Sequence, residues 1–180
     1  MAKDTEIIKK ICLIGTGEVG KTSLVKRFIL DMFDDKYLRT LGTKVSKKAI
    51  NIEYPEKDLK VHLTMLIWDI MGQATFRTLL ADSYFYGAAG SLAVCDSTRA
   101  DTLPALEEWI KSLRNAVGDV PMIFLANKCD LLDKQEVDED MLRSLAKKYE
   151  SQYYFTSART GENVEKAFYE LGELVISKIV

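Results

Sequence analysis

The sequence has little that is typical of a secreted, membrane-spanning or strongly charged protein. It contains only 3 cysteines, 3 prolines and 1 histidine in 180 residues, and 25 basic against 27 acidic side chains leave a net charge of −2. A chain without excess positive charge is not attracted to nucleic acid, so we expect no nucleic-acid partner. An odd number of cysteines without paired short spacing argues against a disulfide framework and favours a reducing compartment, the cytoplasm.

Long apolar runs are also absent. The longest nearly apolar stretch, from Gly87 to Cys95, is far shorter than the roughly 20 residues that cross a bilayer. The N-terminus lacks the apolar stretch of a signal peptide, and no cysteine after Cys129 offers an acceptor for C-terminal prenylation. We expect a cytoplasmic monomer that is peripheral to a membrane only through partners, or through a lipidated tail if the natural chain is longer.

The composition that is present, 47% hydrophobic and 29% charged, is that of an ordinary folded protein, and the length predicts one domain over residues 1–180. Apolar runs of strand length alternate with segments of helical period, which predicts an α/β fold. We expect a doubly wound, mostly parallel sheet of about six strands, one of them antiparallel at an edge, with about five helices. The ligand crevice of such a sheet lies beyond the carboxyl ends of its strands.

Two of the predicted strands, 44–54 and 59–68, are joined only by Pro55-Glu56-Lys57-Asp58. Because a parallel crossover needs a longer connection, they are predicted to form the antiparallel hairpin at the edge. The other predicted strands span 7–14, 91–95, 122–126 and 153–155, and predicted helices span 21–31, 103–117, 138–149 and 164–179.

A glycine-rich segment follows the first predicted strand and leads into a helix. Residues 15–22 fit the pattern G-x-x-x-x-G-K-[ST], in which backbone N–H groups surround the α and β phosphates of a nucleotide. Lys21 reaches the β and γ phosphates, and the hydroxyl of Thr22 binds Mg²⁺. The strand and helix on either side favour this interpretation over a purely structural turn. The phosphate-binding candidates are Gly15, Gly17, Glu18, Val19, Gly20, Lys21, Thr22 and Ser23.

Asn127-Lys128-Cys129-Asp130 follows another predicted strand and suits recognition of guanine. The carboxylate of Asp130 can accept hydrogen bonds from N1–H and the 2-amino group, a pair of donors that adenine lacks. The stem of Lys128 can cover the face of the ring, and Asn127 is expected to connect this loop to the phosphate loop.

A third motif, Asp69-Ile70-Met71-Gly72-Gln73, follows the strand that ends at Trp68. Aspartate and glycine at this spacing are common by chance, so the residues alone do not indicate a function. The position of the motif at the end of a strand is what favours a role in the site. Asp69 can hold Mg²⁺ through a water molecule, the N–H of Gly72 can reach a γ phosphate, and Gln73 can orient the attacking water.

From Lys10 to Ile179 the chain resembles a small GTPase of the Ras superfamily, closest to the Rab branch. Besides the three motifs, the similar residues are Trp68-Asp69, Gly72-Gln73, Phe76-Arg77-Thr78 and Tyr84-Phe85-Tyr86-Gly87-Ala88, which match the second switch of Rab proteins and its helix. The resemblance implies a P-loop NTPase domain that binds GTP and GDP with Mg²⁺. It also implies effector, exchange-factor and GTPase-activating proteins as partners.

The resemblance further implies roles for single residues. Phe33 matches the aromatic side chain that packs against the base, and Thr40 matches the first-switch threonine that binds Mg²⁺ and senses the γ phosphate. Thr156-Ser157-Ala158 resembles the fifth GTPase motif, in which the N–H of Ala158 meets guanine O6; Ser157, Ala158 and Arg159 are therefore assigned to the nucleotide. The implied switches cover about 34–43 and 69–80.

Several residues depart from the Rab pattern. Glu18 stands beside the phosphates, and its carboxylate either turns to solvent without effect or repels the nucleotide and disturbs exchange. Val45 replaces a phenylalanine, and Met71 adds bulk next to the phosphate site. The long spacing between Thr40 and Asp69 predicts an extended polar tip within residues 50–60, so we expect effectors different from those of Rab proteins.

We therefore predict a switch that hydrolyses GTP slowly to GDP, with Lys21, Thr40 and Gln73 as catalytic residues. The predicted metal ligands are Thr22, Thr40 and, through water, Asp69. Two alternatives stay open. One is a nucleotide-loaded interaction module that never turns over because of Glu18 and Met71; the other is an ATP-using P-loop kinase or ATPase, against which Asp130 and Ala158 argue.

An internal arginine finger is not expected. Arg39 precedes Thr40, but adjacent residues in an extended loop point apart. The position that corresponds to the internal arginine of Gα proteins is Tyr37 in this chain. We expect a partner to supply the arginine.

Overall fold

A computed structural model of the chain describes residues 3–36 and 39–180, and within these ranges the chain forms six β-strands and five α-helices. Tyr37 and Leu38, which belong to the predicted first switch, lie outside the described residues. The strands are β1 (Lys3–Ile14), β2 (Thr43–Tyr54), β3 (Leu59–Ile70), β4 (Ala88–Asp96), β5 (Met122–Asn127) and β6 (Gln152–Thr156). The helices are α1 (Lys21–Leu30), α2 (Ala74–Phe85), α3 (Leu106–Val117), α4 (Glu139–Lys148) and α5 (Val164–Ser177).

The strands form one sheet in the order β2-β3-β1-β4-β5-β6. β2 runs antiparallel to β3 at one edge, and the other neighbouring pairs are parallel. This confirms the predicted α/β class with an antiparallel edge hairpin. β4 and β5 lie inside the sheet with helices on both faces, which explains why their sequences are almost continuously apolar rather than alternating.

Helices cover both faces of the sheet, and the two cores follow the period-2 alternation of the strands. Ile11 and Leu13 of β1 pack on the side of α1 and α5, while Cys12 and Ile14 pack on the side of α2, α3 and α4. Because α1 and α5 are joined by the stacked rings of Phe28 and Phe168, 4.1 Å apart, the helix that follows the phosphate loop is fixed to the core.

Some predicted boundaries are wrong at the ends of elements. β1 begins at Lys3 instead of residue 7, because residues 3–6, although polar, pair with residues 59–62 at the far end of β3. α3 begins at Leu106 instead of residue 103. The backbone before it forms i→i+3 hydrogen bonds, among them Leu106 N–H to Leu103 O at 3.1 Å, which make tighter turns than an α-helix.

The polar tip of the hairpin is shorter than predicted. Ile50 and Ile52 are 2% and 4% exposed and belong to the core beside α5, so residues 50–60 are not polar and exposed throughout. The continuously exposed part is Pro55 to Asp58, which contains a short 3₁₀ turn. Among the described residues, no helix is both long and apolar enough to cross a bilayer.

Candidate nucleotide site

A cavity of about 840 Å³ opens at the carboxyl edge of the sheet, where the loops after β1, β3, β5 and β6 meet. Its size is within the range of small-molecule sites. Most of the residues assigned to the nucleotide or the metal from the sequence line it. These are Gly17, Glu18, Gly20, Lys21, Thr22, Ser23, Phe33, Thr40, Asp69, Gly72, Gln73, Asn127, Lys128, Asp130, Ala158 and Arg159.

Three assigned residues, Gly15, Val19 and Ser157, do not line the cavity. Gly15 has a positive φ of 143°, and a Cβ there would lie 2.2 Å from the carbonyl oxygen of Val94, so only glycine fits. Val19 is fully buried in the core. Ser157 Oγ donates a hydrogen bond of 2.7 Å to Asp130 Oδ1 and so orients the carboxylate from behind. These residues therefore support the cavity from behind its lining.

The first turn of α1 faces the cavity without a cap. Gly20 precedes the helix with φ 100°, and a Cβ on it would lie 2.3 Å from Asn127 Nδ2. Among the described residues, no side chain caps this end and no acidic residue lies in the first turn. Unpaired N–H groups and the helix dipole therefore favour an anion at this position.

Lys21 is the buried cation of the site, with 6% of its surface exposed. Its Nζ donates to the carbonyl oxygens of Gly15 and Thr16 at 2.7 and 2.8 Å. Burial lowers the pKa of Lys21 to about 8, although the nearby carboxylate of Asp69 works in the opposite direction. Because carbonyl oxygens compensate a buried charge only in part, an anionic phosphate would be a strong additional partner.

The three predicted metal ligands lie together. Thr22 Oγ1 is 2.8 Å from Thr40 Oγ1 and donates a hydrogen bond to Asp69 Oδ2. Burial raises the pKa of Asp69, and the hydrogen bond from Thr22 and the charge of Lys21 oppose the rise. Asp69 Oδ1 is buried and has no hydrogen-bond partner among the described residues. Two hydroxyls and a carboxylate with an unpartnered oxygen are the hard oxygen donors that Mg²⁺ prefers, so the residues present fit this ion.

Asn127 holds the base end and the phosphate end of the cavity together. It is 2% exposed at the end of β5. Its Nδ2 donates to Val19 O at 3.0 Å, and its Oδ1 accepts hydrogen bonds from Thr156 Oγ1 and from the N–H of Ala158, both at 3.2 Å. The expected connection between the two loops is therefore present.

Lys128 makes a second connection. Its Nζ donates to Glu18 O at 2.8 Å and forms an ion pair with Asp96 Oδ2 at 2.6 Å, so its side chain reaches from the loop after β5 to the phosphate loop at the lining of the cavity. The side chain of Glu18 is exposed, which favours the alternative in which its carboxylate turns to solvent.

The segment after β3 lies directly against the phosphate loop. A Cβ on Gly72 would come within 2.4 Å of Gly17 N and of the carbonyl carbon of Thr16, so no side chain fits there. Gln73 directly precedes α2 and lines the cavity. Met71 lines it as well, and its N–H donates to Gly42 O at 3.0 Å, which links the two predicted switches.

Sequence reasoning missed Asp96, Arg99 and Arg27. Asp96 ends β4 and is 1% exposed, and it binds Lys128 and Arg99. Arg27 of α1 donates through Nε to Ala158 O at 2.8 Å and so holds the loop after β6. A polar residue at the end of an apolar parallel strand was the available clue to Asp96. Nothing local in the sequence pointed to the two arginines.

Comparisons with a family model and with known proteins identify the same family. The model of the Ras family matches residues 10–177. The chain is 36% identical to Ras-related protein Rab-8B of Homo sapiens over 180 residues, which is 99% of this chain and 84% of that protein. It is 33% identical to Ras-related protein Rab-13 of Canis lupus familiaris over 179 residues, 99% of this chain and 85% of that protein.

Proposed function

The chain belongs to the Ras family of small GTPases, on its Rab branch, and we propose that residues 1–180 form one domain that switches between GTP-bound and GDP-bound states with Mg²⁺. Guanine-nucleotide binding and GTPase activity follow from the family. The use of Mg²⁺, the slow rate of hydrolysis and the roles of individual residues are the proposal.

One observation carries the proposal: a single cavity is lined by groups suited to each part of GTP. Lys21 and the uncapped start of α1 lie at the phosphate end. Asp130 lies at the other end, with its carboxylate oriented by Ser157 and with Ala158 nearby. A carboxylate there suits the two adjacent donors of guanine, and adenine offers no such pair.

The residues of the chain do mainly positional and electrostatic work. Lys21 neutralises charge on the β and γ phosphates, and the amides of the phosphate loop bind the oxygens that gain negative charge. Gln73, next to the phosphate loop, orients the attacking water. Thr22, Thr40 and, through water, Asp69 would hold Mg²⁺, which would supply further charge neutralisation on the phosphates.

We propose that the switches are the segments 34–43 and 69–80. Thr40 and Gly72 are the residues that sense the γ phosphate, and their release after hydrolysis changes the surface that effectors meet.

Exchange-factor and GTPase-activating proteins act on the same surface, and the GTPase-activating protein supplies the arginine that stabilises the negative charge during hydrolysis. Because Val45, which replaces a phenylalanine of the Rab pattern, is 50% exposed beside these segments, the effectors differ from those of other Rab proteins. We further propose a cytoplasmic monomer.

The test is a substitution that should change the preference of the base site from guanine to xanthine. Asp130→Asn should weaken GTP binding by about a hundredfold and improve binding of xanthosine triphosphate, because an amide can donate to the extra carbonyl of xanthine. Competition against a fluorescent GDP measures both, with excess ATP as a third competitor. Asp133→Asn, in the exposed turn that follows, is the matched control. Unchanged GTP affinity would remove Asp130 from the base site, and competition by ATP would favour the ATP-using alternative.

A further inference from the structure

Two cations bind neighbouring carbonyl oxygens of the phosphate loop. Arg99 Nη2 donates to Gly17 O at 3.0 Å, and Lys128 Nζ donates to the next carbonyl oxygen, Glu18 O, at 2.8 Å. Both cations are bound to the same oxygen, Asp96 Oδ2, at 3.2 Å from Arg99 Nε and 2.6 Å from Lys128 Nζ. Arg99 does not line the cavity, so it acts on the loop and not on a ligand inside it.

Asp96 is a fixed anion on which both contacts depend. It is 1% exposed, and its other oxygen, Oδ1, accepts from Thr98 N at 2.9 Å and Thr98 Oγ1 at 2.7 Å. Burial alone would raise the pKa of Asp96, but the hydrogen bonds from Lys128 and Thr98 outweigh burial and hold that pKa below its ordinary value. A buried carboxylate with four donors has little freedom, so it fixes the guanidinium of Arg99 in place.

The two carbonyl contacts determine where the loop amides point. A trans peptide is planar, and its N–H points opposite to its C=O. Holding Gly17 O outward therefore turns the N–H of Glu18 towards the cavity, and holding Glu18 O outward does the same for the N–H of Val19. These two amides are among those that the phosphate-binding pattern requires.

Arg99, Lys128 and Asp96 together form a clamp on the phosphate loop. The backbone conformation of Glu18 shows what this clamp stabilises. Its φ is 66°, in the left-handed region that a residue with a Cβ adopts at a cost of about 1–2 kcal/mol. The peptide planes on either side of Glu18 are the two that Arg99 and Lys128 hold. Fixing both planes fixes φ and ψ of Glu18, so the clamp keeps a strained residue in the conformation that binds phosphate.

We propose that Arg99, held by Asp96, is a positioning residue that preorganises the phosphate loop and so slows the release of nucleotides that carry a β phosphate. The inference rests on the proposed function, since it assumes that the cavity binds guanine nucleotides. It assigns to Arg99 a role in retaining nucleotide through the loop amides, without contact between Arg99 and the nucleotide.

The experiment compares two ligands that share the base and differ in the β phosphate. Affinities for GDP and GMP are measured by competition against a fluorescent GDP, for the parent chain and for Arg99→Gln. We expect the preference for GDP over GMP to fall about tenfold in Arg99→Gln, the effect of losing one charge-assisted hydrogen bond at a half-exposed side chain. Release of fluorescent GDP should accelerate by a similar factor.

Two further variants separate positioning from general stability. Arg114→Gln removes another surface arginine, which pairs with Asp119 at 2.8 Å outside the site, and should leave the preference unchanged. Arg99→Lys keeps a cation that can reach Asp96 and Gly17 O, as Lys128 does for Glu18 O, and should restore part of the preference. Failure of Arg99→Lys to restore any of it would contradict a role based on charge-assisted contact.

The remaining outcomes are distinct. A GDP preference within twofold of the parent in Arg99→Gln overturns the inference and leaves the proposed function intact. Equal weakening of GDP and GMP also overturns it, because the residue would then act on the base loop or on the whole fold. A parent chain without preference for GDP over GMP would refute the proposed function and, with it, the inference.

Discussion

Replacing Asn127 with alanine tests the idea that one buried amide couples the base end of the site to the phosphate end. In the structure this side chain makes three hydrogen bonds, to Val19 O, Thr156 Oγ1 and the N–H of Ala158. The change removes all three and leaves the carbonyl of Val19 and the amide of Ala158 without these partners in a buried place.

The expected loss can be estimated from those contacts. Hydrogen bonds of this kind contribute about 1 kcal/mol each, and a buried group left unpaired costs about as much again. We expect the free energy of unfolding to fall by about 3–5 kcal/mol. About 1.4 kcal/mol corresponds to a factor of ten. If the GDP-bound state loses the same stabilisation energy, GDP release should accelerate by about a hundredfold or more.

Urea unfolding at two GDP concentrations, together with the release rate of a fluorescent GDP, measures both effects. Two concentrations are needed because bound nucleotide itself stabilises the folded state by mass action. The matched control is Asn51→Ala, which removes an exposed amide whose Oδ1 lies 2.7 Å from His62 Nδ1. Its effect should stay within about 0.5 kcal/mol, as for most surface changes.

A specific result would refute the reasoning. If Asn127→Ala released GDP as slowly as the parent while its stability fell, the amide would serve the fold alone. If neither quantity changed more than in the Asn51→Ala control, the three contacts would contribute nothing measurable, and the two loops would be independent.

Three other perturbations address the switch and the metal. Gly72→Ala places a Cβ 2.4 Å from Gly17 N, so the second switch should be forced away from the phosphate loop. We expect GDP affinity to persist while the tryptophan fluorescence difference between the GDP form and a GTP-analogue form is lost; a parental difference would contradict this. Chelating Mg²⁺ with EDTA should accelerate GDP release by about tenfold or more, because the oxygens around Asp69 lose their shared cation; a rate insensitive to EDTA would argue against the metal site. Gln73→Leu should slow single-turnover hydrolysis by about tenfold or more at unchanged GTP affinity, since only the water loses its orientation; an unaltered rate would assign the water to another residue.

The parts of the site that sequence predicts are those whose residues lie next to each other in the chain. Two motifs directly follow a predicted strand in the sequence: the phosphate loop with its glycines and Lys21, and the segment from Asn127 to Asp130. For this reason their places at one edge of the sheet followed from the α/β pattern alone. The antiparallel edge hairpin followed in the same way from the short connection between its strands.

The rest depends on contacts between distant residues. Arg99 reaches Gly17 across 82 positions, and no local pattern distinguishes it from any other surface arginine. The polar start of β1 is a strand only because β3 extends to pair with it. The polar tip predicted within residues 50–60 includes Ile50 and Ile52, but strand pairing and α5 bury them.

A single-turnover assay tests the central claim most directly. The purified chain is loaded with GTP and Mg²⁺, and the bound nucleotide is followed to GDP. The account predicts a rate on the order of 10⁻⁴ per second, by analogy with Ras without its activating partner, so that conversion takes hours. GTP that stays bound without conversion would contradict the switch and favour a non-cycling interaction module, with Glu18 and Met71 as the residues to replace next.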